Sequence, residues 1–212
     1  MIVWAVLAAQ TVLAGTAYDL MAPVVKVYAG ESVGSGVVLE EEKVLTCAHV
    51  VGSKKIVVVV VYFWDEAQRK IVGTFTVDGV VVKVDQEKDL ALIELDCILD
   101  FPPVEFASED SLEILEPIVC VGAPFMKAIS IFRGVVTDQE CEGLIQTDAF
   151  AQPGCSGGAL WVWQDNQWKL LGVLTRAFRG TALSFFVPVS KIKEFLDEFR
   201  SGTHAECAYG AA

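Results

Sequence analysis

A chain of 212 residues can bury one large core or two small ones without metal or disulfide staples. Its 28 acidic side chains against 16 basic ones, a formal net charge of −12, argue against a nucleic-acid partner, because releasing counterions from phosphates takes a basic face. With only 2 histidines and no Cys-x-x-Cys pair a zinc site is not expected, nor any other metal or cofactor.

Residues 1–17 carry no charge and end in small residues, with Gly15 and Ala17 at the −3 and −1 positions of a cleavage after Ala17. The stretch reads as a secretory signal, which implies a secreted or periplasmic protein. The Lys or Arg that usually precedes such an apolar run is missing. An N-terminal anchor or a domain-packed helix therefore stays open, and with it a cytoplasmic or virus-associated location. A stable membrane span is not expected, since Gln10, Thr11 and Thr16 interrupt a run that would need about 20 apolar residues.

From Ala22 the pattern changes to short Val- and Ile-rich runs bounded by Gly, Asp or other charged residues. Strands are predicted near 23–29, 34–40, 43–46, 55–64, 70–76, 79–84 and 90–95, then near 117–121, 129–137, 143–147, 159–163, 168–175 and 183–187. The acidic, proline-containing segment from Asp96 to Pro117 connects the two sets. Short strands without alternating helices predict an all-β chain of antiparallel barrels or a sandwich. Trp163 to Trp168 reads as a hairpin turned by Asp165-Asn166. One helix is predicted, where Ile192, Phe195, Leu196 and Phe199 fall at i, i+3, i+4 and i+7 ahead of Gly202; it is expected to pack on the second set of strands. Residues 201–212 read as a flexible tail.

Cysteines stand at 47, 97, 120, 141, 155 and 207. They form no dense framework, Cys97 and Cys120 read as buried thiols, and the pairing is open.

The stretch with chemical potential is Gly154-Cys155-Ser156-Gly157-Gly158, a hydroxyl among three glycines. It suits either a plain turn or a nucleophile whose loop N–H groups face a substrate. His49 follows a short strand and, His204 being in the tail, is the candidate base if Ser156 is activated by an imidazole; a structural histidine is the alternative. Asp89 leads into the apolar run 90–95. It is either a turn cap or the carboxylate that orients His49. The order His49, Asp89, Ser156 is that of the chymotrypsin class of Ser-His-Asp sites.

Val44-Leu45-Thr46-Cys47-Ala48-His49 resembles the histidine box of trypsin-like serine proteases, and Gln146 to Ala149 with Pro153 to Gly158 resembles the serine box of their HtrA/Deg branch. Gly34 to Leu39, Val121 to Phe125, Leu171 to Thr175 and Phe185 to Pro188 resemble further strands of that branch, so the likeness runs from about 22 to 199. The resemblance implies a protease domain over 18–200 of two six-stranded antiparallel β-barrels, about 22–98 and 115–188, with a C-terminal helix at about 189–200. It implies catalytic His49, Asp89 and Ser156, an oxyanion hole from the N–H groups of Gly154 and Ser156, and protein or peptide substrates, with a homo-oligomer left open. Substrate backbone would pair with Thr175, Arg176 and Ala177. By the same likeness Phe150 would lie at the base of the primary pocket and favour small or medium aliphatic side chains.

Several positions depart from the branch. Cys155 stands where relatives usually carry Asn or Asp. In viral cysteine versions of the fold the thiol directly precedes the Gly-Gly pair, a position that here belongs to Ser156. Val50 replaces the cysteine that bridges beside the histidine of animal trypsins, and the likeness does not extend to the PDZ domain of many HtrA proteins. Alternatives to an active endopeptidase are an impaired, protease-like binding or chaperone module, favoured if Cys155 distorts the loop, and a viral or phage processing protease of the same fold.

Overall fold

The computed structural model describes residues 17–202 except Glu66, Arg69, Pro102 and Arg179. The expected signal or anchor therefore lies, but for Ala17, outside the described residues, as does the tail from residue 203 onward.

Two closed antiparallel barrels of six strands make up the molecule. The first contains β1 (Val24–Ala29), β2 (Ser32–Glu40), β3 (Lys43–Thr46), β4 (Ile56–Asp65), β5 (Lys70–Asp85) and β6 (Leu90–Leu95), in the order β1-β2-β3-β6-β5-β4. One helical turn, α1 (Ala48–Val51), leaves β3. The second contains β7 (Pro117–Gly122), β8 (Ser130–Cys141), β9 (Leu144–Thr147), β10 (Ala159–Gln164), β11 (Gln167–Ala177) and β12 (Ser184–Pro188), in the order β10-β11-β12-β9-β8-β7. Closure gives every strand a neighbour on both sides over at least part of its length.

Period-2 alternation decides which faces turn inward. On β4, Val57, Val59 and Val61 are buried while Ile56 and Val58 are exposed. Val27, Val37, Leu45, Leu92 and Ile93 of the first barrel belong to one buried cluster that continues into Val121, Trp161 and Phe195 of the second half. Cys120, Ile145, Leu160, Leu171 and Phe186 fill the second barrel. The hairpin at Trp163 to Trp168 closes through Asp165 and Asn166, both at positive φ (50° and 64°), with the two indoles edge-to-face. Strand β5 is one 16-residue element where two strands were predicted, bent by a bulge between Val81 and Lys83.

The C-terminal helix, α2 (Val189–Arg200), buries Ile192, Phe195 and Leu196, as its spacing predicts. It touches β11 and β12 and is also tied to the first barrel. Lys83 Nζ on β5 donates to Phe195 O and Glu198 Oε2, each at 2.7 Å, and Lys88 reaches Glu198 Oε1 at 3.1 Å. The apolar stripe foretells the helix, whereas its second anchorage depends on a strand more than a hundred residues away. No helix among the described residues is long and apolar enough to cross a membrane.

Candidate active site

His49 sits in α1 and Asp89 just before β6, at φ +53°, a left-handed value that Asp tolerates better than most residues. Strands β3 and β6 pair through Thr46↔Ala91, which brings the two segments together. The Asp89 carboxylate then serves two donors of one residue. Oδ1 accepts from the His49 backbone N–H at 3.0 Å, and Oδ2 lies 2.8 Å from His49 Nδ1. An ionised carboxylate only accepts, so Nδ1 carries the proton and Nε2 is left as the basic nitrogen. Thr175 Oγ1 on β11 also donates to Asp89 Oδ2, at 2.5 Å. Burial alone would raise the Asp89 pKa, but the hydrogen bonds from His49 and Thr175 outweigh it and hold the carboxyl below its usual range.

Cys47 Sγ, His49 and Asp89 offer metal-ligand atoms within 4.8 Å of one another. The geometry fits hydrogen bonding instead. Tetrahedral ligands about 2.0 Å from zinc stand roughly 3.3 Å apart, whereas Nδ1 and Oδ2 are 2.8 Å apart. The Cys47 thiol already donates to Leu174 O at 3.0 Å, and burial, with Asp89 beside it, pushes its pKa well above the ordinary thiol value.

Ser156 lies in a loop clamped from both barrels. Gln152 to Cys155 form a turn closed by Cys155 N–H to Gln152 O at 3.0 Å, with Pro153 second and Gly154 third at φ +96°, the residues a type II turn requires. A β-carbon on Gly154 would stand 2.5 Å from Ala123 O. From the first barrel, Ser35 N–H donates to Ser156 O at 2.7 Å, and Ser35 Oγ donates to Gly154 O at 2.8 Å while accepting from Ala123 N–H at 2.9 Å. Leu174 O accepts from both Gly157 N–H, at 2.8 Å, and the Cys47 thiol, so one carbonyl of β11 ties the serine loop to the histidine segment. A β-carbon on Gly34 would meet Val50 Cγ2 at 2.5 Å and Ser156 O at 2.9 Å, which shows how closely the two segments approach. Among the described residues no hydrogen bond joins Ser156 Oγ to His49, and the N–H groups of Gly154 and Ser156 have no acceptor.

A cavity of about 230 Å³ opens beside Ser156, lined also by Ala151, Gln152, Pro153, Leu174, Ala177 and Gly180. Phe150 does not line it. Its side chain, expected at the base of this pocket, is 47% exposed, and the next residue, Ala151, faces the cavity in its place. Beyond Ala159↔Val173, β11 has no further strand pairing with β10, so among the described residues the 175–177 segment has no strand partner on that edge, while Arg176 and Ala177 pair with β12 on the other. Arg176 turns outward to Glu142 at 2.6 Å. A larger cavity, about 410 Å³ and lined by Tyr18, Trp161 and Trp168 among others, shares no residue with this site.

All 5 described cysteines are free. Burial pushes the Cys155 thiol up to about 11, so it is neutral at physiological pH, and its side chain packs under Gly122 without entering the cavity. Sequence reasoning missed Ser35 and the carboxylate contact of Thr175. Both belong to motifs noted for family likeness, but neither spacing nor chemistry reveals their partners.

The family description "Trypsin-like peptidase domain" matches residues 34–173, and the chain belongs to that family. A probable periplasmic serine endoprotease, DegP-like, of Pseudomonas fulva is 26% identical over 183 residues, 81% of this chain and 35% of that protein. Serine protease HTRA1B of Danio rerio is 33% identical over 178 residues, 78% of this chain and 34% of that protein. The chain thus spans about a third of the length of these relatives. The crystal structure of the serine endoprotease from Yersinia pestis superposes with a TM-score of 0.74 at 23% identity, over 89% of this chain and 67% of that one, and shares the fold.

Proposed function

We propose that residues 18–200 form one serine endopeptidase unit, acting through His49, Asp89 and Ser156. The observation that carries this reading is the Asp89 carboxylate on His49 Nδ1 at 2.8 Å, with Leu174 O joining the histidine segment to the Ser156 loop. As Ser156 Oγ attacks a peptide carbonyl, His49 Nε2 takes its proton; Asp89 stabilises the imidazolium, and the proton passes on to the leaving amine. The two N–H groups without acceptors, on Gly154 and Ser156, bind the oxyanion of the tetrahedral intermediate, each typically worth ~10²–10³ in rate. Water, deprotonated by the same imidazole, then releases the acyl group from Ser156.

Among the described residues the cavity is lined by no charged side chain, and Ala151, Leu174, Ala177 and Gly180 stand along it, which supports a preference for small or medium aliphatic residues before the scissile bond. The 175–177 edge supports substrate pairing by β-augmentation. Relatives named periplasmic support export as the location. The binding-module alternative depends on a loop distorted by Cys155, whereas Cys155 closes the turn and is buried.

A fluorophosphonate probe tests the reading. It should label the parent and not Ser156→Ala, and hydrolysis of an unfolded protein substrate should fall roughly 10⁶-fold in that variant. A folded parent that neither labels nor hydrolyses would overturn it.

A further inference from the structure

We propose that Lys26, on the far side of the cleft from Ser156, is a positioning residue for the oxyanion-binding loop. The inference rests on the endopeptidase reading above and adds a residue to it. Among the described residues Lys26 is the one buried charged side chain, 7% exposed on β1, and no carboxylate pairs with it. A buried amine needs compensation. Nζ finds it in Met126 O, at 2.9 Å across the barrel interface, and in the rings of Tyr28 and Tyr62, whose centroids lie 5.7 and 5.8 Å away.

The carbonyl that Lys26 holds belongs to an unusual turn. Phe125 and Met126 both take left-handed backbone conformations, φ +49° and +59°, although neither is glycine, and both side chains are exposed and so supply little packing to hold them there. The turn in turn holds the loop beside Ser156, since Phe125 N–H donates to Pro153 O at 2.7 Å. The Pro153–Gly154 peptide is trans, so its N–H points opposite to its C=O. Anchoring Pro153 O on Phe125 therefore keeps the Gly154 N–H turned away from the 123–126 turn and free to donate. Were Phe125 to relax to negative φ, the peptide would lose that anchor and could rotate its carbonyl into the place of the donor. Lys26 thus acts on the oxyanion site through Met126 O, Phe125 N–H and Pro153 O.

The test compares the parent with Lys26→Met, which keeps an unbranched apolar stem, one atom shorter, but removes the donor. With a fluorogenic peptide bearing an aliphatic residue before the scissile bond, kcat should fall roughly ten- to a hundred-fold, less than the ~10²–10³ of losing an oxyanion donor outright. KM should stay within about twofold, and far-UV circular dichroism should be unchanged. Adding Met126→Gly to Lys26→Met should recover part of kcat, because glycine adopts positive φ without a β-carbon penalty. If Lys26→Met does not fold, Lys26→Leu, which also removes the donor, carries the same comparison. A kcat within twofold of the parent, a change in KM alone, or a loss that Met126→Gly leaves untouched would overturn the role of Lys26 while the parent's own turnover upholds the endopeptidase reading. A folded parent with no turnover and no fluorophosphonate labelling would overturn both.

Discussion

The first barrel brings His49 and Asp89 to the cleft with their hydrogen bonds already made, whereas the second brings Ser156 in a loop whose N–H groups on Gly154 and Ser156 have no acceptor among the described residues. The proposed base half is held mainly from within, one carboxylate fixing both the backbone and the ring of the same histidine, with Thr175 of the second barrel as a further donor. The nucleophile half is shaped from outside, by Ser35, Leu174 and Phe125. Under the proposed mechanism, a group that must stay charged and oriented is best held by bonds made before substrate arrives, while donors meant for a transient oxyanion have to be left open, so their loop needs support that does not use them.

The sharpest way to break this contrast is Asp89→Asn. An amide can present its NH₂ to Nδ1 and favour the wrong tautomer, so kcat should drop about 10⁴-fold with little change in fold, as measured with a peptide substrate. Gly154→Ala strikes the other half. A methyl at φ +96° that meets Ala123 O at 2.5 Å should displace the donor and lower kcat by roughly 10²–10³, with fluorophosphonate labelling slowed in proportion.

Thr175→Val sharpens the comparison, because it is the second barrel's one direct hydrogen bond to the Asp89 carboxylate among the described residues. Losing a hydrogen bond to a charged group, worth about 1.5–3 kcal/mol, should reduce kcat on the order of tenfold. The effect on pH follows from the depressed Asp89 pKa. Its hydrogen bonds contribute stability that is fully present above the unfolded carboxyl value, roughly 4, and is lost as pH falls through the lower folded value. Thr175→Val raises that folded value, so thermal melts between pH 5 and 2 should show the variant's disadvantage largest at the upper end of that range and shrinking toward pH 2. The smallest effect belongs to Cys155. Its neutral, buried thiol should resist iodoacetamide in the folded protein at pH 8, as mass spectrometry would show, and Cys155→Ala should keep kcat within about threefold.

Much of this was legible without coordinates, because local pattern carries it. Strand alternation, the Asp-Asn turn and the stripe of Ile192, Phe195 and Leu196 are short-range signals that burial obeys. The candidate triad was legible for a different reason: with His204 in the tail, His49 is the histidine left for Ser156, and the chain order His49, Asp89, Ser156 narrows the assignment. Phe150 marks where such reasoning fails. Alternation along a loop is not fixed by a sheet pleat, so Ala151 and not Phe150 lines the cavity. Lys26 and Ser35 were invisible as site residues, since each is an isolated polar position among apolar or glycine neighbours on its strand.

By itself the sequence determined two sets of strands, a closing helix and the residue types of a Ser-His-Asp site, all encoded in spacing and composition. Only the tertiary structure decided that Thr175 serves Asp89, that Leu174 O joins the two halves, and that a buried lysine of one barrel braces a turn of the other. Those contacts link positions 86 to 127 residues apart, and such pairings exist only once both barrels have closed and docked.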